Sequence, residues 1–325
     1  MDHDQFKAKK QWAGESKPSM KRRRLGHDYR SRRIYMLTLT VEGRRQLLGH
    51  ITGNGQSEPA EMHLSPLGQA VSDAVLGIPN YYPAIRIIVH QVMPDHLHVV
   101  LFVTERIPAH LGRVVNGFKT GCNKVYRDLM RQGLLDTNLP ALWEEDYNDT
   151  ILDRKEQFAR MKNYVLDNPR RYAIKRANPD LFRVQRDVRV GDYTFAALGN
   201  IFLLDAAALL QVQCSRSLTE AQMIAVRDHF LRKCENGAVL VSPSISPGEK
   251  MVMRAAFERG FPIVILQENG FAPLAKPGGA RFDACADGRL LLLAPWPHHN
   301  RNLNITRDKA LTLNQMAWVI CSQHA

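Results

Sequence analysis

The stretch QVMPDHLHVVLFV, residues 91–103, decides the fold of the first half of the chain. Val, Leu and Phe fill most of it, and this composition predicts a β-strand that begins near His96. Successive side chains of a strand point to opposite faces, so His96 and His98 share one face while Leu97 lies on the other. Two imidazoles therefore converge on one place, where they either hold a metal ion or pack within a sheet.

Three further segments combine with this stretch into a predicted antiparallel sheet. AIRIIVHQV, residues 84–92, alternates as a strand does and is joined to the histidine strand by Met93-Pro94-Asp95, a short turn signal. RIYMLTLTV, residues 33–41, predicts an earlier strand, and LWEEDYNDTIL, residues 142–152, predicts a later one. The two hairpin strands should be central, which places the His pair in the middle of the sheet.

Three other segments have helical periodicity. The first covers residues 65–79 and the second residues 108–133. The third, residues 153–172, should stop near Asn168, because Pro169 disfavours the α conformation in the residue before it. The order β-α-β-β-α-β-α predicts an α+β fold of the ferredoxin-like, split βαβ type, with helices on one face of the sheet plus one extra helix.

The chain is long enough for two domains, and its charge is unevenly divided between them. Of the 325 residues 45% are apolar, and residues 1–190 hold 31 of the 44 Lys and Arg but 21 of the 32 Asp and Glu. The first part therefore carries a net formal charge of +10 and the rest +2. Nucleic acid is the commonest partner of a soluble chain this basic, because Lys and Arg neutralise phosphates and release their counterions. A basic surface that serves only solubility is the alternative.

The N-terminal segment and the cysteines bear on the compartment. Residues 1–30 are polar and basic, contain no apolar core of a signal peptide, and predict a mobile arm. Five scattered cysteines without a C-x-x-C pair favour neither a disulfide framework nor a cysteine zinc site. No run approaches the ~18 apolar residues of a membrane span. We therefore expect a cytoplasmic, nucleoid-associated protein that is neither secreted nor bound to a membrane.

Tyr164 and Asn168, in the segment YVLDNPRRY, are candidates to form one reactive site with the His pair. They are four residues apart, hence on one face of a helix. Two imidazoles on one strand face can hold a single ion, and an amide oxygen can complete a site for a hard cation. A phenol, with a pKa of about 10, becomes a useful nucleophile only when a cation or base helps it. The alternative is that Tyr164 packs on the sheet, Asn168-Pro169 ends a helix, and the histidines are structural.

The stretches VMPDHLHVVLFV, LWEEDYNDTIL and YVLDNPRR together resemble the HUH-type single-strand DNA transposases, specifically the REP-associated tyrosine transposase branch, over about residues 33–175. That family carries a MPNHxH strand and a YxxxNP helix on a ferredoxin-like fold. The resemblance implies that His96 and His98 bind divalent Mg or Mn and that Asn168 is the third polar ligand. It also implies that Tyr164 forms a 5′-phosphotyrosine link to single-stranded or hairpin DNA. Asp95 stands where the family has Asn, which adds a negative charge beside the metal site.

Basic residues near these motifs are candidates for contacts with the DNA backbone. Some lie in the arm, some on the second predicted helix and some after Tyr164, and each could instead be a solvated charge. The sequence leaves monomer and homodimer open, because the helix that carries Tyr164 can be exchanged between protomers. The candidates are Lys21, Arg22, Arg23, Arg24, Arg113, Lys119, Lys124, Arg127, Arg170, Arg171, Lys175 and Arg176.

From about residue 191 onward, the chain has the pattern of a separate α/β domain. Short apolar runs that alternate with helical segments, such as NIFLLD, GAVLVS and GRLLLLAPW, predict buried parallel strands. In VSPSISPGEK, Ser246 and Glu249 form a predicted capping box at a helix start. The Ser-rich loop before that helix is also a natural phosphate cradle.

SPSISPGEKMVMRAAFERGFPIVILQENG, KPGG and GRLLLLAP resemble, more distantly, the Rossmann-like module of the DNA-processing A and lysine-decarboxylase-like families, over about residues 195–320. That resemblance implies a phosphate or DNA-backbone surface near Ser244, Ser246, Gly278 and Gly279.

We therefore predict a metal-dependent tyrosine transposase or single-strand DNA endonuclease joined to an α/β accessory domain. One alternative is a DNA-hairpin-binding protein that does not cut, although such a protein would need neither Tyr164 nor the His pair. Another is a nucleotide- or ligand-sensing C-terminal enzyme that the first domain addresses to DNA. The predicted bounds are 1–30 for the basic arm, 31–175 for the HUH domain, 176–194 for a linker and 195–325 for the Rossmann-like domain.

Overall fold

The chain forms two compact units, Met1–Ile174 and Lys175–Ala325. The structure is a computed structural model, and it describes residues 24, 26–135, 139–272, 274–301 and 304–323. Within those residues, no helix combines the length and the apolar character that a membrane crossing needs. The two units are mixed α/β in composition and each has its own main sheet.

The main sheet of the first unit has four strands in the order β4-β5-β1-β6, and every neighbouring pair runs antiparallel. A turn of two residues, Pro94 and Asp95, joins β4 to β5, as the turn signal predicts. Strand β5 lies between β4 and β1, so the His pair does lie inside the sheet, but the prediction that both hairpin strands are central is wrong for β4, which is an edge strand. The strands of this unit are β1 (Arg33–Thr40), β2 (Gly49–Thr52), β3 (Glu61–Leu64), β4 (Ile85–Met93), β5 (His96–Val103) and β6 (Asn148–Ile151).

Within residues 49–64, β2 and β3 pair as a separate antiparallel ribbon, which the sequence patterns above do not predict. One prediction about the strands of the main sheet needs correction. The predicted strand over 142–152 is shorter than expected, and only β6 pairs regularly with β1. Its first half is held differently, since the carbonyl groups of residues 144–146 accept hydrogen bonds from a lysine side chain.

The helices begin and end close to their sequence signals. Ser65 caps α1 by accepting a hydrogen bond from the Gly68 amide. The third predicted helix does stop before Pro169, but a new helix starts at Asn168 with the proline in its first turn. The helices are α1 (Pro66–Leu76), α2 (Ile78–Tyr81), α3 (Leu111–Arg131), α4 (Lys155–Leu166) and α5 (Asn168–Ala177).

The sheet of the first unit has a different cover on each face. Leu97, Val99 and Leu101 of β5 join the larger apolar core, to which α1 and α3 contribute their buried residues. Val100, which follows the His pair on the other face, packs instead with Val165 of α4. The extra helix therefore covers the face that carries His96 and His98, opposite the two crossover helices.

The predicted arm does not extend to residue 30, and residues 1–23 and 25 lie outside the described part of the chain. Tyr29 is buried at 3% exposure within the larger core, and its hydroxyl donates a 2.9 Å hydrogen bond to Asp149. An aromatic ring buries a large apolar area even when the residues around it are polar. The polar composition of the segment therefore does not reveal that Tyr29 joins the core. Residues 27–30 therefore belong to the folded unit.

The second unit is built on a six-stranded sheet in the order β7-β8-β12-β11-β10-β9. The four strands β9 to β12 are parallel, and β8 and β7 continue the sheet antiparallel. Its strands are β7 (Gln185–Val190), β8 (Tyr193–Gly199), β9 (Leu209–Gln211), β10 (Val239–Ser242), β11 (Ile263–Leu266) and β12 (Leu290–Ala294). Its helices are α6 (Glu220–Glu235), α7 (Pro247–Glu258), α8 (Ala280–Ala286) and α9 (Arg307–Ser322).

Helix α9 covers one face of this sheet through Leu313, Met316, Ala317 and Ile320. Thr306 caps its N-terminus by accepting a hydrogen bond from the Lys309 amide. Two other expectations are wrong. NIFLLD forms a 3-10 helix over Ile201–Asp205, and its aromatic ring, Phe202, is 74% exposed. Residues 176–194, predicted as a linker, contain β7. The sequence of this strand, QRDVRV, is mostly polar and charged, so it lacks the apolar pattern by which strands are predicted.

Candidate active site

The two histidines of β5 are in edge contact, with ring centroids 4.7 Å apart. His98 is buried at 5% exposure, and its Nδ1 lies 2.8 Å from Oγ1 of Thr38, its register partner on β1. His96 is partly exposed, and its Nδ1 lies 2.6 Å from Oδ1 of Asp95. The Asp95 carboxylate can only accept, so it sets both the orientation and the tautomer of His96, whereas the Thr38 hydroxyl, which can donate or accept, sets the orientation of the His98 ring. Each ring would therefore ligate through Nε2.

Tyr164 reaches the His pair from α4. Its ring centroid lies 5.6 Å from that of His98, in an edge-to-face arrangement, although the two residues are 66 positions apart in sequence. The ring is half-buried and packs against the apolar cluster formed by Met36, Val100, Leu152 and Val165. The face shared by His96, His98 and Tyr164 therefore combines two imidazoles with a phenol.

Arg171 brings a positive charge to this phenol. Its guanidinium carbon lies 5.6 Å from the centre of the Tyr164 ring, and its side chain is only 11% exposed. Asp167 lies 3.9 Å from the same guanidinium. A guanidinium over an aromatic ring is attracted by its π electrons, so Arg171 helps to hold the Tyr164 ring in place.

Asn168 is buried at 4% exposure beside Tyr164. Its side-chain amide donates a 2.8 Å hydrogen bond to the main-chain oxygen of Tyr164. The prediction that both residues lie on one helix is wrong, because α4 ends at Leu166 and Asn168 begins α5. The amide nevertheless stays one turn from Tyr164.

Asp95 is an ionised neighbour of His96. Burial alone would raise the pKa of Asp95, but the hydrogen bond to His96 and the charges of His96 and Arg44 outweigh it. The pKa of this carboxyl group is therefore lowered below its ordinary value. Arg44 lies 3.5 Å from the second carboxylate oxygen of Asp95, so the two oxygens of this carboxylate contact Arg44 and His96.

The donor set fits a divalent ion held by nitrogen and neutral oxygen. Within the described parts of the chain, no three side chains of His, Cys, Asp or Glu converge into a metal cluster. Two oriented imidazoles would hold an ion only with further oxygen donors, such as the Asn168 amide or a bound phosphate. His90, on β4, faces the opposite core, where Ser72 lies 2.9 Å from its Nε2 and burial lowers its pKa.

Lys119 is not a surface contact for DNA. Its side chain is buried at 8% exposure, and its ammonium donates to the main-chain oxygens of Glu144, Glu145 and Asp146 at 2.7, 2.9 and 3.3 Å. A lysine has three donors, and these three carbonyl groups accept from all of them. The residue therefore fixes the segment before β6.

Replacing Lys119 with Met should destabilise the first unit by about 2 kcal/mol, because the substitution keeps the apolar stem but removes hydrogen bonds from a charged donor. Urea unfolding measures this change. Lys124, an exposed lysine on the same helix, provides the control, and Lys124→Met should change the stability by less than about 0.5 kcal/mol. Equal effects of the two substitutions would contradict the assigned role of Lys119.

The other basic candidates are divided among different surfaces. Arg113, Lys124 and Arg127 are exposed on α3, which covers the face of the sheet opposite the His pair. Arg170 forms a two-point ion pair with Asp167, at 2.6 and 3.1 Å. Arg24 lies 3.2 Å from Asp153, and Arg176 is exposed near the end of α5, to which Lys175 also belongs. Lys21, Arg22 and Arg23 lie outside the described residues.

Ser246 does not present an open phosphate cradle. Its hydroxyl caps α7, and the Glu249 side chain, buried at 2% exposure, completes the predicted capping box. The Glu249 carboxylate also accepts hydrogen bonds from the amides of Ile245 and Cys214. The chain's own carboxylate therefore occupies the place at the helix N-terminus where an anion would bind.

Ser244 and Gly278 both line a cavity of about 420 Å³ in the second unit. Lys250, Arg254 and Arg281 also line it, so three cationic side chains surround the two small residues. Ser244 adopts a left-handed conformation with φ 54°, and Gly279 has φ 55°. The lining of this cavity is therefore basic.

Three residues of the first site are missed or misread in the sequence. Thr38 orients His98, Arg44 contacts Asp95, and Arg171 flanks the Tyr164 ring rather than standing free. Thr38 belongs to the alternating segment TLT, but its partner is determined by the β1–β5 register. The contact between Thr38 and His98 depends on which strands pair and in which register, and the local sequence pattern specifies neither.

Comparisons with known proteins give distant similarities. No family model matches the chain. An uncharacterized protein of Haemophilus influenzae is 24% identical over 167 residues, which cover 45% of this chain and 86% of that protein. The structure of a REP-associated tyrosine transposase bound to a REP hairpin is similar with a TM-score of 0.33 and 15% identity, covering 49% of this chain and 74% of that one.

A third similarity is to a structure of DNA processing protein A from Helicobacter pylori, which was studied for its mode of binding single-stranded DNA. Its TM-score is 0.32 at 13% identity, and the match covers 43% of this chain and 66% of that one. None of these similarities assigns an activity to this chain.

Proposed function

We propose that the first unit is a ferredoxin-like HUH domain that cleaves and rejoins single-stranded DNA, with Tyr164 as the nucleophile. Its antiparallel strand order β4-β5-β1-β6, with α1 and α3 as crossovers on one face, supports the ferredoxin-like assignment. The Rossmann-like assignment of the second unit is supported by its four parallel strands with helices between them.

The single observation that carries this proposal is the meeting of Tyr164 with His98 at 5.6 Å between ring centroids. A phenol, two imidazoles and a guanidinium share one half-buried face, although they come from β5, α4 and α5. A silent hairpin-binding protein has no need of this combination. Phosphoryl transfer needs a nucleophile, cationic stabilisation and positioning, and these residues can supply all three.

His96 and His98, with Asn168 as a further donor, would hold Mg or Mn here. The ion, when bound, would polarise the scissile phosphate and stabilise the charge that develops on its oxygens. Asp95 and Thr38 keep the two imidazoles oriented, at 2.6 and 2.8 Å from the respective Nδ1 atoms. These contacts would hold the imidazoles, and with them the bound phosphate, in a fixed position.

Tyr164 would attack the phosphorus with its hydroxyl oxygen. An O–P bond forms to the tyrosine, the bond from phosphorus to the 3′ oxygen breaks, and the departing oxygen takes up a proton. The phenol loses its proton to solvent in the same step, while Arg171, 5.6 Å from the centre of the ring, supplies positive charge near the reacting groups. The products are a 5′-phosphotyrosine and a free 3′-OH, and the reverse attack by a 3′-OH rejoins a strand.

The direct test is incubation with single-stranded hairpin oligonucleotides that carry a label at the 5′ or the 3′ end. We expect the 3′-labelled fragment to remain attached to protein on a denaturing gel and the 5′-labelled fragment to be released with an extendable 3′-OH. Chelator should abolish both products. Release of two free fragments, or attachment of the 5′-labelled fragment, would exclude the proposed chemistry.

The basic cavity around Ser244 and Gly278 favours a supporting role for the second unit in DNA binding. Lys250, Arg254 and Arg281 can neutralise backbone phosphates there without reading the sequence. We therefore propose single-stranded or hairpin DNA as the partner of both units.

A further inference from the structure

A second cavity of the second unit has no role in the function proposed above. It encloses about 620 Å³ and is lined by residues of α9, by Tyr193 at the start of β8, and by Gln211 and Gln213 at and after the end of β9. Because β8 is antiparallel to β12, its start lies beside the carboxyl ends of the parallel strands. The crevice outside these carboxyl ends is where α/β sheets bind their ligands.

The described lining of this cavity is polar but uncharged. Four amide side chains, a threonine hydroxyl and two aromatic rings surround it, together with Leu311. Each amide offers both a donor and an acceptor, the combination that pairs with the edge of a nucleobase. The lining residues are Tyr193, Gln211, Gln213, Leu311, Thr312, Asn314, Gln315 and Trp318.

Asn314 has a hydrogen-bonding group without a partner. Its Oδ1 is fully buried, and among the described residues nothing donates to it. A buried acceptor left unpaired is costly, and a rotation of the Asn314 amide toward the cavity would expose it to a donor on a ligand. Gln211 fixes the Asn314 main chain by donating a 2.8 Å hydrogen bond to its carbonyl oxygen.

Trp318 lies one helical turn from Asn314 and is 55% exposed. Leu311, on the same stripe of α9, is 56% exposed, while the opposite stripe is buried in the core. Exposure of a large indole beside polar groups is typical of a stacking platform for a planar ring.

An adjoining cavity of about 360 Å³ shares Gln213, Leu311 and Asn314 with the first. Arg216 and Arg307 line it and are both exposed, and neither forms an ion pair with any residue that the structure describes. Glu249 also lines this cavity, but its carboxylate accepts three main-chain amides. A neutral amide-rich pocket beside two arginines matches a nucleotide better than a neutral sugar.

We propose that these two cavities bind one nucleotide, with its base against Trp318 and Asn314 and its phosphate near Arg216 and Arg307. The ligand is either a free nucleotide or one unit of a single strand. This site lies outside the proposed strand-transfer chemistry and does not rest on it. It would give the second unit a preference for unpaired bases, since only an unstacked base presents its face and edge together.

The test uses the full-length chain with Tyr164→Phe, so that strand transfer cannot affect the result. Nucleoside 5′-monophosphates, a single-stranded hexanucleotide and maltotriose are each titrated while tryptophan emission is recorded. The emission difference between this protein and one that also carries Trp318→Phe reports this site alone. Phe202→Ala, which removes an exposed ring of the same unit outside both cavities, is the matched control.

We expect saturable quenching of Trp318 by the monophosphates, the hexanucleotide or both, which distinguishes the free from the polymeric source. Asn314→Ala should weaken binding by about fivefold, Arg307→Gln should reduce its salt dependence, and Phe202→Ala should change neither. Absence of quenching by every nucleotide, quenching by maltotriose alone, or affinities unaffected by both Asn314→Ala and Arg307→Gln would overturn the assignment.

Discussion

Tyr164→Phe should abolish covalent attachment of DNA, by at least about a thousandfold, while the affinity for a hairpin oligonucleotide stays within about twofold. The substitution removes only the hydroxyl oxygen that would attack phosphorus. The ring, which packs against Met36 and Val100, stays in place. A denaturing gel measures the adduct, and fluorescence anisotropy measures the affinity.

Tyr81→Phe is the matched control for this experiment. Tyr81 belongs to the same unit and is 83% exposed, so its hydroxyl is the more accessible of the two. It should form adduct at the level of the unmodified protein. Adduct formation by Tyr164→Phe would show that another residue is the nucleophile.

His96→Ala and His98→Ala should each abolish strand cleavage and weaken Mn²⁺ binding, because each removes one of two imidazole ligands. Most DNA affinity should survive, since phosphate contacts elsewhere supply it. His96 gives the cleaner test, because it is partly exposed, whereas His98 is buried at 5% exposure. Calorimetric Mn²⁺ titration and thermal unfolding accompany the cleavage assay.

The control for the metal is His90→Ala. His90 lies on the neighbouring strand but faces the other core, where Ser72 is its partner. Its loss should lower stability without changing the Mn²⁺ affinity or the cleavage rate of the folded protein. If all three substitutions reduce stability alike and none changes Mn²⁺ binding, the His pair is structural.

Local pattern in the sequence is enough to predict the elements around the first site. The alternation in HLHVVLFV puts both histidines on one face, and Pro169 ends α4 close to Tyr164. Neither pattern states that α4 covers the histidine face of the sheet. The resemblance of the combined motifs implies that Tyr164 acts beside a metal ion held by the His pair, and the 5.6 Å approach of Tyr164 to His98 agrees with that arrangement.

What the sequence could not reveal depends on long-range pairing. Lys119 has the spacing of a surface lysine, yet its ammonium is buried against carbonyl groups more than 20 residues away. Ser246 reads equally well as a phosphate ligand and as a cap, and the buried Glu249 carboxylate decides for the cap. In both cases a charged side chain forms its hydrogen bonds with main-chain atoms, and neither composition nor periodicity predicts such bonds.

Identification of the linked residue tests the central claim most directly. The full-length protein is reacted with a single-stranded hairpin oligonucleotide and Mn²⁺, the DNA is digested to its attached nucleotide, and tryptic peptides are analysed by mass spectrometry. We predict a nucleotide attached through its 5′ phosphate to Tyr164, in the peptide NYVLDNPR over residues 163–170. A nucleotide on any other residue, or an unmodified Tyr164 in protein that has cleaved its substrate, would contradict the assignment of Tyr164 as the nucleophile.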